Sequence, residues 1–310
     1  MAATLSIVVP AWNREASLRA TLESIATAAA DVASRINLII VDNNSTDRTR
    51  AVAEQFCSGA PFYCRVVDCS TPGAAAARNR GFSEVTTPWV MFFDSDDLMS
   101  RQLLRQVLAT IDSHPGLDII TWDISCQQAD GSRRRRRGLR SLSMRHHLIF
   151  SNIATQRFAA KSALIEAAGL WNADCPAWND FELGSRLLLH ARRLRHLNII
   201  GATTFLSPNS LTEASFSRCP AKWETSLRAI ERTLNDAGLD TTPVNARRAI
   251  LAGRYRREGN LVEARRLLSQ ALSPGKAKRR LQLLYHWTAR FGRPTAIIAN
   301  LLFPSGSCKC

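Results

Sequence analysis

Four short runs near the start of the chain are apolar almost throughout, and each is followed by a segment of helical length. "LSIVVPA" (5–11) precedes "REASLRATLESIATAAA", "INLIIVD" (36–42) precedes "STDRTRAVAEQF", and "CRVVD" (64–68) precedes "PGAAAARNRGFSEV". "PWVMFFD" (88–94) precedes "SRQLLRQVLATIDSH", and a fifth run, "LDIITWD" (117–123), comes next. Strands without an apolar–polar alternation have no face to turn to water, so they belong inside a sheet covered on both sides. The intervening segments supply the cover: Leu18, Leu22 and Ile25 fall on one helical face. This rhythm predicts an α/β fold with a mostly parallel central sheet, in which ligands bind outside the carboxyl ends of the strands.

Those ends are rich in polar groups. Pro10 and Asn13 follow the first strand, Asp42 ends the second, Asp68 the third, and Asp94, Ser95, Asp96 and Asp97 the fourth. Three carboxylates within four residues repel one another and are costly to bury. Capping of the next helix by Asp97 or Ser100 would use one acid. A divalent cation held by Asp94 and Asp96, with phosphate oxygens and water completing its shell, explains the surplus. In "VDNNSTDRT" (41–49), Ser45 and Asp47 suit a helix N-terminus and leave Asp42 free to accept from a base N–H. The small residues of "TPGAAAARNRGF" (71–82) let a helix approach the sheet closely, while Arg78 is placed to pair with the acidic cluster or a phosphate. In "PAWNDFELGSRLL" (176–188), Asn179 or Asp180 caps a helix, or Asp180 presents a carboxylate to a substrate.

Taken in order, "SIVVPAWN", "IIVDNNSTDRT", "GAAAARNRG", "FFDSDDLM" and "GLWNADCPAWNDFELGSRLLLH" resemble the motifs of family 2 glycosyltransferases of the GT-A fold, over roughly residues 3–205. The resemblance implies a nucleotide-diphospho-sugar donor, in particular a UDP-sugar, with Mn²⁺ or Mg²⁺ as cofactor and an inverting transfer to a hydroxyl of a glycan or lipid-linked acceptor. It places Pro10, Ala11 and Asn13 in the donor-binding loop and Asp42 at the base. Arg78 falls on the diphosphate side, Asp94 and Asp96 in the Asp-x-Asp motif, and Asp180 at the catalytic base. Asn179 stands where the family usually has Glu; the change removes a negative neighbour that would raise the Asp180 pKa. Polysaccharide, glycolipid or cell-envelope glycan synthesis is the implied setting.

Beyond residue 124 the rhythm fails. "ADGSRRRRRGLRS" (129–141) reads as an exposed loop on the acceptor side, "SALIEAAG" (162–169) and "DFELGSRLLLHARR" (180–193) as helices, and "LRHLNII" (194–200) as a strand. From about residue 218 only helices are expected, which divides the chain into a catalytic domain, 1–215, and a helical extension, 216–310. "NARRAILAGRYRREGNLVEARRLLSQAL" (245–272) resembles a single tetratricopeptide-type hairpin turning at Gly259 and Asn260, and "RLQLLYHWTARFGRPTAIIANLLF" (280–303) is a further pair broken at Gly292–Pro294.

Charge separates the two parts. The net +15 is +12 over residues 218–310, with 18 Lys and Arg against 6 Asp and Glu, and +3 over the rest. A basic helical surface suits packing on the catalytic domain or peripheral contact with an anionic membrane; the lack of an RNA-binding signature argues against nucleic acid. Eight cysteines without a CxxC pair, or His at zinc-finger spacing, read as free or buried thiols of a reducing cytosol. No apolar run reaches the ~18 residues of a spanning helix, and the N-terminal apolar run reads as a strand and not an export signal. The expected location is cytoplasmic, at the inner face of the membrane. Two alternatives remain: an Asp-x-Asp phosphatase, and a non-catalytic adaptor that binds sugar nucleotides.

Overall fold

The structure is a computed structural model that describes residues 3–303 apart from 129, 206–214, 274, 276 and 294. Two compact units divide the chain. The first comprises residues 1–142, 152–173 and 187–208, and the second 143–151, 174–186 and 209–310. This differs from a single cut at 215/216: segments 143–151 and 174–186 cluster with the C-terminal helices, and the last boundary falls at 208/209.

The first unit is built on one sheet. Strands β1 (Leu5–Ala11), β2 (Ile36–Asp42), β3 (Tyr63–Asp68) and β4 (Trp89–Phe92) alternate with helices α1 (Leu18–Ala29), α2 (Thr49–Ser58) and α3 (Ala74–Phe82). A two-residue β5 (Leu98–Met99), α4 (Leu103–Ser113), β6 (Ile119–Gln127), β7 (Arg133–Arg136), β8 (Phe158–Lys161), α6 (Ser162–Ala167) and β9 (Leu194–Phe205) complete it. The strand order is β3-β2-β1-β4-β8-β6-β9-β5, with β7 joined to β6. β3, β2, β1 and β4 are parallel, as the sequence rhythm requires. β8 then runs antiparallel between β4 and β6, so the sheet is mixed. Through β8, β6 points the same way as β4, and their carboxyl ends lie on the same rim.

Burial follows from the apolar runs. Ile7, Val9, Leu38, Ile40, Met91 and Phe93 pack with Leu22, Ile25, Leu104 and Val107 of α1 and α4. On the opposite face α3 lies so close that a methyl group at Gly81 would overlap Val8 and Val41. The small residues of α3 are therefore a packing requirement.

The arginine run is not a loop. Arg133–Arg136 form β7, antiparallel to the last residues of β6, from Ile124↔Arg136 to Gln127↔Arg133. β8 ends its pairing at Thr121 and leaves that edge of β6 open. Arg135 Nε reaches Asp123 Oδ2 at 2.7 Å, and the Gly138 N–H donates to Asp123 Oδ1 at 2.8 Å. Asp123 is fully buried, and this anchoring overrides the poor strand propensity of consecutive charges.

The cysteine expectation also changes. Cys57 and Cys64 are bonded as a disulfide across the turn from α2 to β3. Their Cα atoms are 5.0 Å apart, within disulfide range. Cys69, Cys126 and Cys175 are buried free thiols and Cys219 is exposed; Cys308 and Cys310 lie outside the described residues.

The second unit is helical: α5 (Met144–Phe150), the first two turns of α7 (Asn179–His190), α8 (Pro220–Asp236), α9 (Thr242–Arg257), α10 (Leu261–Leu272), α11 (Lys278–Phe291) and α12 (Thr295–Leu302). Its core gathers Phe181, Trp223, Leu227, Ile230, Leu251, Tyr255, Leu267 and Leu284. α9 and α10 turn at Gly259, whose φ is +87°, and the Asn260 side chain caps α10 by accepting from the Glu263 N–H at 3.1 Å. No helix among the described residues is long and apolar enough to cross a membrane.

Candidate active site

The rim at the carboxyl ends of β1, β2 and β4 is knitted from loop to loop. Asn13, with φ +50°, follows β1. Its N–H donates to Ser45 Oγ at 3.0 Å and its side-chain oxygen accepts from the Thr46 N–H at 2.9 Å. Asn tolerates that conformation better than most residues, and the exchange locks the first loop to the second. Glu15 and Asp47 repeat the lock: the Glu15 N–H reaches Asp47 Oδ2 at 3.1 Å, and the Arg48 N–H reaches Glu15 Oε2 at 3.0 Å. Pro10 and Ala11 complete β1 in register with Val41 and Asp42. Asp42 is buried and accepts the Ser45 N–H at 3.3 Å, as a turn-stabilising Asx side chain does. Asp68 leaves this set, since its exposed carboxylate pairs with Arg50 of α2.

Around the aspartates the contacts are denser. Arg78 is buried, donates from Nη2 to Asp94 Oδ1 at 2.7 Å, and lies 4.4 Å from the centroid of the Trp171 ring. Of the two roles its position allowed, the structure shows the pairing with the acidic cluster. The Gln156 side chain donates to the other oxygen of Asp94, while the Gln156 backbone carbonyl accepts from Trp122 Nε1 at 2.6 Å. Asp96 is half-buried and meets Arg14 at 3.4 Å; burial, then the Asp94 charge, raises its pKa. Asp97 is buried and accepts the Phe205 N–H at 3.3 Å. Burial, with Asp94 and Asp96 alongside, pushes it up to about 9. It is therefore protonated at neutral pH. The three acids of the run have three different environments: Asp94 is held by Arg78 and Gln156, Asp96 faces Arg14, and Asp97 is buried.

Hard carboxylate oxygens from Asp94 and Asp96 suit Mg²⁺ or Mn²⁺ held largely by phosphate oxygens. Burial first, and the Asp94 charge second, raise the Asp96 pKa, and a cation beside the pair would offset both. Among the described residues no three His, Cys, Asp or Glu side chains form a cage. Three rim residues went unrecognised in the sequence. Gln156 and Asn43 are ordinary amides there; Asn43 holds the loop before α3, donating to the carbonyls of Cys69 at 2.9 Å and Thr71 at 2.7 Å and accepting from the Gly73 N–H at 2.9 Å. Trp12 sits within an apolar stretch yet is 59% exposed beside Asn13.

Asp180 belongs to the second unit, in the first turn of α7. Its Oδ1 accepts the Phe181 N–H at 2.7 Å. Glu182, which is buried, is held by Arg186 through two bonds of 2.8 and 2.7 Å, so Asp180 is the more accessible of the two acids. The turn is set by Trp178, with φ +53°, whose ring packs 5.2 Å from Trp223 and 6.3 Å from Phe216. Ser226 of α8 donates to the Ala177 carbonyl.

Comparison with known proteins bears on the family and the fold. The sequence profile described as Glycosyl transferase family 2 matches residues 6–170. The chain is 33% identical over 104 residues to the minor teichoic acid biosynthesis protein GgaA of Bacillus subtilis, covering 33% of this chain and 23% of that protein. It thus spans less than a quarter of that relative. Residues 1–349 of S. aureus TarS, solved with UDP-GlcNAc, superpose with a TM-score of 0.69 at 18% identity, covering 96% of this chain and 89% of that one. The mannosyltransferase PcManGT of Pyrobaculum calidifontis, solved with GDP-Man and Mn²⁺, gives 0.62 at 15% identity, over 97% and 87%. The fold is the GT-A-like α/β fold, with a mixed sheet covered by helices and C-terminal helices added.

Proposed function

Since the chain belongs to glycosyl transferase family 2, we propose that it moves a sugar from a UDP-sugar donor to a hydroxyl of a glycan or lipid-linked acceptor, with inversion, in cell-envelope glycan synthesis. The observation that carries this reading is the rim at the ends of β1, β2 and β4, where Arg78 and Gln156 fix Asp94 beside Asp96. UDP-GlcNAc in the TarS structure and the teichoic acid role of the B. subtilis relative support the donor and the setting.

In this reading Asp42 accepts from the base, and the exposed Trp12 offers a flat apolar face to the donor. Pro10, Ala11 and Asn13 shape the loop along the nucleoside. Arg78 sets the position of Asp94, and Asp94 and Asp96 hold Mn²⁺ or Mg²⁺. Bound there, the cation would neutralise charge on the departing diphosphate, as Mn²⁺ beside GDP-Man in the mannosyltransferase supports. Asp180 takes the proton from the acceptor hydroxyl as its oxygen attacks the anomeric carbon opposite the leaving group. Asn179 stands where a Glu would put a second carboxylate next to it.

The helical extension contributes a basic surface. Lys278, Arg279, Arg280 and Arg290 are exposed on α11, and Leu283 of α11 and Ile297 and Leu301 of α12 are exposed apolar side chains. That mixture supports peripheral contact with an anionic membrane, each basic residue adding about 1 kcal/mol. The α9–α10 hairpin serves as a single tetratricopeptide-type packing unit.

Thermal unfolding against a panel of sugar nucleotides with Mn²⁺ tests the donor. A ligand at about 100 times its Kd adds about 2.7 kcal/mol, and the panel should single out one UDP-sugar. Asp180→Asn should abolish transfer while leaving that stabilisation in place, and Asp96→Ala should weaken the metal-dependent part. Retained turnover by Asp180→Asn would remove the base assignment. Release of phosphate from a simple monoester without a sugar nucleotide would favour a phosphatase.

A further inference from the structure

The arginine strand has no part in the reaction described above, yet the fold builds it with care. β7 is held at one edge by β6. One of its arginines, Arg135, is spent on the buried Asp123 and on Asn198, at 2.7 and 3.1 Å. Arg133, Arg134, Arg136 and Arg137 are exposed. Along a strand, alternate side chains share a face at a spacing of roughly 6.6 Å, so, with Arg135 engaged, Arg134 and Arg136 share one face and Arg133 stands on the other. One acid, Asp130, lies in the turn before them and is engaged by Ser132 at 2.6 and 2.9 Å.

The place of this strand in the sheet is informative. Arg133 stands opposite Gln127 of β6, Gln127 opposite Phe205 of β9, and the Phe205 N–H donates to Asp97. With strands about 4.8 Å apart, the backbone of Arg133 is on the order of 10 Å from that of Phe205. β7 therefore lies along the rim that carries the aspartates, all within the first unit.

We propose that β7 is a track for a polyanionic glycan acceptor, a chain with phosphate or carboxylate repeated along it, and that the exposed arginines grip those groups as the chain approaches the rim. The inference rests on the glycosyl-transfer reading and supplies its acceptor class. Arginine without lysine favours forked, bidentate recognition of such oxyanions. Nucleic acid fits less well, because β7 itself carries no Phe, Tyr or Trp and the exposed Phe205 of β9 is one ring, not a row of rings on which successive bases stack. A flat membrane fits less well too, since guanidinium groups on opposite faces of one strand cannot all meet one plane. A flexible chain following the strand meets both sets.

Binding of the full chain to labelled poly(glycerol phosphate), polygalacturonate, dextran and oligothymidylate tests this, with anionic vesicles as a further arm. One or both of the anionic glycans should bind, dextran should not, and oligothymidylate should bind more weakly. In Arg133→Gln/Arg134→Gln/Arg136→Gln, affinity for the anionic glycan should fall at least tenfold. Its log–log salt slope should shallow by about 2, at ~0.7 per charge lost. Stabilisation by the sugar nucleotide should be unchanged in the triple variant, so this inference and the donor reading can fail separately. Unaltered glycan binding by the variant, equal or tighter binding of oligothymidylate, or arginine-dependent capture by vesicles alone would overturn the proposal.

Discussion

At the scale of single residues, the rim is organised by pairing. Arg78 is buried against Trp171 and gives a charge-assisted hydrogen bond to Asp94. Arg78→Met would keep much of the apolar stem and remove the charge. The loss should be about 2 kcal/mol, typical of a hydrogen bond to a charged group, and urea unfolding would measure it. The same variant should weaken stabilisation by a sugar nucleotide, because Asp94 loses one of its two holders. The sequence made the acids of this rim legible, since carboxylates at strand ends have a purpose or a cost. It left Gln156 and Asn43 unnoticed, because an amide becomes distinctive only through its contacts. Asp97 shows the same limit. In the chain it equals Asp94 and Asp96, but burial makes it a neutral carboxyl.

At the scale of elements, β1 and β2 match their sequence bounds because apolar runs of that length have one way to be buried. Gly81 and the alanines of α3 were read as packing residues, and the contacts with Val8 and Val41 bear this out. β7 was misread because charge runs ordinarily stay in solvent, and nothing local announces that Asp123 lies beneath. The same cluster holds His196, whose Nε2 is 3.4 Å from Asp123 Oδ1 and whose Nδ1 is 3.1 Å from Thr121 Oγ1. Burial lowers the His196 pKa, with Arg140 and Arg135 adding to that and Asp123 opposing it. The folded state then binds fewer protons than the unfolded state. Its contribution is full above the ordinary His value of about 6.5 and is lost as pH falls through the lowered one. His196→Gln should flatten the stability–pH curve on its acid side, measured by urea unfolding at a series of pH values.

At the scale of the whole molecule, the second unit is more than a tail. Residues 174–186 belong to it, so the turn that carries Asp180 is built on α8 through Trp178, Phe216 and Trp223. Trp223 is 2% exposed. Trp223→Ala should cost roughly 3–5 kcal/mol, measured by denaturant unfolding. At temperatures where the variant is still folded, transfer should fall more than donor binding does. Replacing an exposed extension residue with no such role, such as Val262 of α10, 76% exposed, should leave both unchanged. The sequence by itself determined the α/β rhythm, the acidic rim and the change to basic helices, because periodicity, strand-end chemistry and charge are properties of the chain read in order. Tertiary structure alone decided that β8 turns the sheet mixed, that four of the five consecutive arginines become a strand, that Asp97 is uncharged, and that the Asp180 turn joins the helical unit. Each of these depends on partners distant in sequence, and burial, pKa and edge pairing exist only once those partners meet.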